Sequence, residues 1–94
     1  MKEKIKLTPI SPSDLGLPKR TKIAVDGKGV HYIIKNIKSR IIMKDGKKIL
    51  EAANKIKTEI KTTVFFATTA PICSKTKAYL KKNKIETIFD YIVS

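Results

Sequence analysis

Apolar and polar positions along this chain of 94 residues follow two periods in turn, and each change of period marks a new element. KIKLTPI, residues 4–10, puts Lys4, Lys6 and Thr8 on one side and Ile5 and Leu7 on the other, the alternation of a short strand. SPSDLGLPKR follows with two prolines and a glycine and predicts a loop. Residues 1–21 are therefore expected to form an N-terminal arm and loop, and residues 22–94 a single domain. KIAVD reads as a strand, DGKG at 26–29 as a tight turn that needs positive φ, and VHYIIK as the returning strand. A strand running on from Val30 to Lys44 would be unusually long, so NIKSR predicts a bend near Lys38 to Arg40.

Beyond KDG at 44–46 the period lengthens. Ile49, Ala53, Ile56 and Ile60 recur at spacings of four, three and four, which predicts a helix over 47–60 with its lysines mostly on other faces. Asp45 is placed to cap it, and Glu51 lies early enough to favour its dipole. TTVFFATT is a short apolar run suited to an interior strand. Pro71 suits the first turn of a second helix, with Ala78, Tyr79 and Leu80 facing inward and Asn83 closing it. IETIFDYIV reads as the last strand. The predicted fold class is α/β. A small mixed β-sheet begins with a β-hairpin or meander and continues in β-α-β-α-β order, with two helices packed on it and right-handed crossovers.

Charge changes the picture more than composition does. Lys and Arg number 21 against eight Asp and Glu, a formal net charge of +13. Such an excess attracts polyanions, because lysines near phosphates release condensed counterions. A compositional origin competes with this reading: 19 of the 21 cations are Lys and Ile outnumbers Leu fifteen to five, as an AT-rich genome or a thermophile would impose. No apolar run is long enough for a membrane helix, and MKEKIKLT lacks the apolar stretch of a secretory signal. One cysteine excludes an internal disulfide, and a cytoplasmic location is expected. The six aromatic residues supply few platforms for stacking bases.

Few residues announce chemistry by themselves. His31 sits in an alternating strand and reads as structural. Cys73 lies near a helix N-terminus, which lowers a thiol pKa, but reads rather as a small buried apolar residue at a strand-to-helix corner. TTAPICS, 68–74, joins a buried strand to a helix, where Thr68, Thr69 and Ser74 are candidates to hydrogen-bond an anion. It contains no glycine, which argues against a close backbone cradle for phosphate.

The order of VD at 25–26, YIIKNIKSR at 32–40, a helix, and then TVFFATTAPICSKTKAYLKKNKIETI resembles the restriction-endonuclease-like superfamily, most closely its Mrr-type and archaeal nuclease-like branches. The resemblance covers roughly residues 22–92; the family's leading helix has no counterpart in residues 1–20. It implies that Asp26 stands for the metal-binding aspartate and Lys38 for the lysine that positions the attacking water. The acid of the family's acid-x-lysine triplet falls at Asn36, which offers an oxygen without charge, so Mg²⁺ would be held weakly. Glu51, or Asp45 folding back across the sheet, would have to supply the missing carboxylate. The leading expectation is a small basic nucleic-acid-binding domain, a degenerate nuclease-like fold gripping phosphates through Lys35, Lys38, Arg40, Lys44, Lys47 and Lys48. The alternatives are a metal-dependent nuclease using Asp26, Glu51 and Lys38, or a protein-interaction module that pairs, or forms an oligomer, through a strand edge.

Overall fold

The computed structural model describes residues 5–17, 21–35, 38–60 and 62–93. In chain order these form β1 (Ile5–Ile10), a 3₁₀ turn (Pro12–Leu15), β2 (Lys22–Val25), β3 (His31–Ile34), α1 (Met43–Glu59), β4 (Val64–Ala67), α2 (Ser74–Lys82), β5 (Thr87–Ile88) and β6 (Tyr91–Val93). The described strands make one mixed sheet in the order β5-β4-β3-β2-β1-β6. The predicted fold class is borne out, from the hairpin through the two helix crossovers that leave β3, β4 and β5 parallel. Gly29, at φ +86, supplies the positive φ that the hairpin turn requires.

Within the segment expected as an arm, β1 is part of the sheet. β1 pairs antiparallel with β2 and parallel with β6, and Leu7 is wholly buried. Pro9 fits inside this strand because β6 pairs only with Ile5 to Leu7, so no partner on that side needs an N–H at position 9. Leu15 and Leu17 of the following turn are buried in the main core, which ties the predicted loop to α1.

The sheet is strongly curled. Laid flat, six strands at about 4.8 Å would hold β5 and β6 about 24 Å apart, yet the three residues from Ile88 to Tyr91 reach only about 10 Å. The Thr68 N–H donates to the Ile88 carbonyl and the Ile5 N–H to the Asp90 carbonyl, so one C-terminal segment stitches both ends of the sheet. The predicted single last strand is for this reason two short ones, broken at Phe89 and Asp90 where the chain passes from β4 to β1. Curling creates two cores. Ile23, Ile33, Val64 and Phe66 meet Ile49, Ala53, Ile56 and Leu80 beneath the helices. On the other face Leu7, Ala24, Tyr32, Ile34 and Ala67 are enclosed by the sheet itself, with Tyr32 edge-on to Phe65 at 5.7 Å.

Both helices start differently from expectation. α1 begins at Met43 rather than residue 47, because the Asp45 carboxylate accepts the Ile42 N–H at 3.1 Å and the Gly46 N–H donates to the Ile42 carbonyl. Asp45 thus caps from the third helical position, not from the cap position itself. Gly46 does not break the helix; it is buried against Thr76 and Tyr79 of α2. The helix ends at Glu59, leaving Ile60 exposed. α2 begins at Ser74 because Pro71 and Cys73 hold an extended bridge to Ile41, with N–H to carbonyl distances of 2.8 and 2.9 Å. Its inward residues are Thr76 and Leu80, with Tyr79 half-buried and Ala78 exposed, while the Asn83 side chain closes it by donating to the Tyr79 carbonyl.

Candidate nucleic-acid interface

β3 and β4 run parallel, so their carboxyl ends lie side by side, and the Ile41–Ile72 bridge continues the pairing past them. Each strand then feeds a helix, which brings the amino ends of α1 and α2, with their positive dipole ends, to the same rim of the sheet. Lys35 follows β3 directly, Lys38 and Arg40 lie in the connecting loop, and Lys44, Lys47 and Lys48 occupy the first two turns of α1. All of these except half-buried Lys35 are exposed. Asp45 is the carboxylate among them, and it is ion-paired to Lys35 at 3.1 Å. Burial would raise its pKa, but the Ile42 amide, the Lys35 ammonium and the charge of Lys48 outweigh that and hold the carboxyl below its usual range.

Next to this rim, between the end of the hairpin and α1, is a cleft of about 660 Å³. Among the described residues Lys22, Lys35, Lys48 and Lys55 line it, with Glu51 as the one carboxylate. Among the described residues no carboxylate lies within ion-pair distance of Lys22, Lys48 or Lys55. Lys55 is positioned by the 3₁₀ turn: Gly16, at φ +71, leaves room for the Lys55 stem, whose Cε would stand 3.2 Å from a Cβ added there.

The catalytic set expected from the resemblance does not converge. In the β2–β3 hairpin Lys22 faces Ile34 and Val25 faces His31, so Asp26 sits at the turn. It lies roughly 13 Å along the strand from Lys22 and the cleft that Glu51 lines. Lys38 lies beyond the opposite end of β3, exposed, and Asn36 is outside the described residues. Asp26 has a structural task where it stands. One carboxylate oxygen accepts the N–H groups of Lys28 and Val30 at 2.8 and 3.0 Å, and the other accepts the Tyr32 hydroxyl at 3.1 Å. Burial opposes ionisation of Asp26, but these hydrogen bonds and the Lys28 charge prevail and hold its pKa low. Tyr32, desolvated and bonded to that carboxylate, is pushed up to about 12.

The magnesium ion that the resemblance implies needs several hard oxygen donors around one point. Among the described residues no three His, Cys, Asp or Glu side chains gather to provide them. Asp26 is at the wrong end of the hairpin, Asp45 is tied to Lys35, and Glu51 stands among four lysines. The described residues do not fit the ion.

The anion loop is also built differently from expectation. Thr68 is fully buried; its hydroxyl donates to the Lys35 carbonyl at 2.6 Å and accepts the Ala70 N–H at 3.0 Å. It locks β4 to the end of β3 and cannot reach an external anion, while Thr69 and Ser74 stand exposed beside it. Cys73 occupies the cap position of α2, where the amides of Lys75 and Thr76 depress its pKa. His31 bonds the Gly29 carbonyl at 3.1 Å within the hairpin.

Lys22 and Lys55 are the site residues that the pattern reading missed. The register implied by DGKG was the available signal: a hairpin closing at 26–29 places residue 22 opposite 34, and therefore beside Lys35. No comparable signal marks Lys55, whose place depends on the return of the 3₁₀ turn onto α1.

A curled mixed sheet backed by two helices, with strand-first order, is a fold that this chain shares with solved structures. Solved structures with this fold include a repair endonuclease from Pyrococcus abyssi, at TM-score 0.69 and 15% identity over 92% of this chain and 39% of that one. EndoMS in complex with double-stranded DNA is similar at TM-score 0.67 and 13% identity, over 93% of this chain and 38% of that one. EndoMS in its apo form gives 0.63 and 12%, over 92% and 37%. The chain thus spans less than two fifths of the length of these structures, and the likeness is one of fold. The sequence matches no protein-family model and no curated protein. Among the described residues no helix is long and apolar enough to cross a membrane.

Proposed function

We propose that this chain is a nucleic-acid-binding module on a nuclease-like fold, which grips the phosphate backbone and does not cut it. The carrying observation is the gathering of Lys35, Lys38, Arg40, Lys44, Lys47 and Lys48 with two helix amino ends at one rim, against Asp45 as the one carboxylate of that stretch among the described residues. Point-charge lysines placed this way favour any phosphate backbone and read no bases. Double-stranded DNA is the natural first probe, since EndoMS was solved with it.

Fluorescence anisotropy of a labelled duplex, followed over salt concentration, tests the reading. If the five exposed cations each neutralise one phosphate, the logarithm of affinity falls with a slope of about −4.5, or about 500-fold between about 50 and about 200 mM salt. Changing Lys38, Arg40 and Lys44 together to Gln brings the slope to about −2. Binding that ignores salt, or a variant with the unchanged slope, refutes the proposal.

A further inference from the structure

We propose that Cys73 is a nucleophilic thiol at which a small disulfide forms a reversible adduct, a modification site that goes beyond the nucleic-acid reading and does not rest on it. The sequence favours a buried apolar role for this residue, yet its side chain is partly exposed. Its backbone is fixed in place. The Cys73 N–H donates to the Ile41 carbonyl at 2.9 Å, and the bridge of Ile41 to Ile72 seats the residue at the cap position of α2. Arg40, next to Ile41, is near enough for its charge to favour an anion at the sulfur.

Donors gather at this sulfur in a way that a neutral thiol leaves unused. A neutral sulfur is a weak acceptor, and Cys73 makes no side-chain cap hydrogen bond. The amide of Lys75 and then that of Thr76 favour the thiolate most, burial opposes it, and the Thr76 hydroxyl and Arg40 guanidinium add to the amides. Thr76 is the second sign of an anion here. It is fully buried, and its Oγ1 has no hydrogen-bond partner among the described residues. It stands at the third helical position, from which a side chain reaches back to the cap residue. Its methyl is turned instead to Gly46 of α1. An orphan hydroxyl in the interior is costly. Ionising Cys73 turns the weak acceptor beside it into a strong one.

In the reaction the Cys73 thiolate attacks one sulfur of the incoming disulfide. A new S–S bond forms, the old one breaks, and the departing half leaves as a thiolate that takes up the proton Cys73 gave to solvent. The disulfide bond is transferred, so no further oxidant is required.

Cys73 is the one cysteine of the chain, so every thiol event reports on it. The folded full chain is treated near neutral pH with 2-hydroxyethyl disulfide, read by mass spectrometry, and with iodoacetamide for the rate. Both reagents are neutral, so the net positive charge of the protein does not steer them. The expected product carries one mercaptoethanol adduct, which dithiothreitol removes. Thr76→Val keeps the side-chain shape and removes the hydroxyl. It slows alkylation about fivefold, because one charge-assisted hydrogen bond is worth about tenfold or more in thiolate population and the weaker nucleophilicity of a more acidic thiol returns part of it. Thr76→Ser, which keeps the hydroxyl, keeps the wild-type rate, and the Tm of Thr76→Val does not fall. Equal rates in wild type and Thr76→Val overturn the proposal, as does a folded chain that gains no adduct. A slowing matched by Thr76→Ser, or accompanied by a lower Tm in Thr76→Val, assigns the effect to packing and overturns it as well.

Discussion

Gly46 lies one turn into α1, where the helix crosses α2, and a Cβ added there would stand 2.8 Å from the Thr76 Cγ2 methyl and 3.6 Å from Tyr79 Cδ2. Gly46→Ala therefore sets two effects against each other. Helix propensity alone favours alanine by about 0.8–1 kcal/mol. A carbon at 2.8 Å, however, forces the helices apart or Thr76 off its rotamer, and overpacking of this kind costs about 1–3 kcal/mol. Thr76 is fully buried, so it has little room to give, and the packing term prevails. The net loss is about 1 kcal/mol, or about 4–8 °C in Tm for a domain of this size. Urea denaturation followed by far-UV circular dichroism reads it. Thr76→Ser removes the obstructing methyl and keeps the hydroxyl, so Gly46→Ala made in that background recovers the propensity gain, and the cycle isolates the clash. A Gly46→Ala protein that is stabilised by the full propensity term in the wild-type background would falsify the close α1–α2 crossing.

Asp26→Asn destabilises the protein by about 1–2 kcal/mol at pH 7 through weakened hydrogen bonds to the hairpin. Because the folded pKa of Asp26 is depressed, its contribution is full above the unfolded value of about 3.9 and is lost as pH falls through the lower folded value. The difference between wild type and variant in urea midpoint should accordingly shrink near pH 2, and a constant difference contradicts the assignment. Leu7→Ala costs about 2–5 kcal/mol if β1 is integral to the sheet, whereas a change below about 0.5 kcal/mol would restore the detached arm. Supercoiled plasmid incubated with magnesium or manganese stays intact. Nicking by the wild type that disappears in Glu51→Gln would show that the cleft does assemble a metal centre.

Much of the fold was legible because local patterns agree with global ones. The DGKG turn, the spacing of Ile49, Ala53 and Ile56, and the apolar run of TVFFA each specify an element without outside help. What escaped depends on contacts between distant segments. KIKLTPI shows a strand, but nothing local says that it joins the sheet between β2 and β6. The break at Phe89 and Asp90 follows from the curl of the whole sheet, which no window of IETIFDYIV contains. Gly46 looks like a stop and is a contact, because its meaning lies in Thr76, thirty residues away. The site divides in the same way. The cations from Lys35 to Lys48 were visible as a run of charge, but the family resemblance placed Asp26 beside Lys38 by order along the chain. Antiparallel register forbids that: residue 26 faces the start of β3, and residues past 35 leave from its other end.

The charge of the cleft bears on both chemistries at once. At roughly 6 Å, with an effective dielectric constant of about 20, each unit of like charge costs about 3 kcal/mol per unit charge on the incoming ion. Lys22, Lys48 and Lys55 are exposed, so solvent screens much of that cost, but its sign opposes a bare divalent cation among the lysines that line the cleft. Among the described lining residues Glu51 is the one carboxylate set against them. The sign reverses for a phosphate, which meets the same lysines as attraction, and screening by salt reduces both effects together. One arrangement of side chains thus disfavours a divalent cation and favours a phosphate. On the proposed reading lysines line the cleft, where holding a divalent cation would take several carboxylates. Lys22→Asp combined with Lys35→Glu would test that exchange directly. The double variant should lose affinity for the labelled duplex and bind Mn²⁺, read by paramagnetic broadening of the Ile34 and Glu51 amides. Broadening spread evenly over the surface, with duplex binding intact, would show that the cleft charge does not govern what it holds.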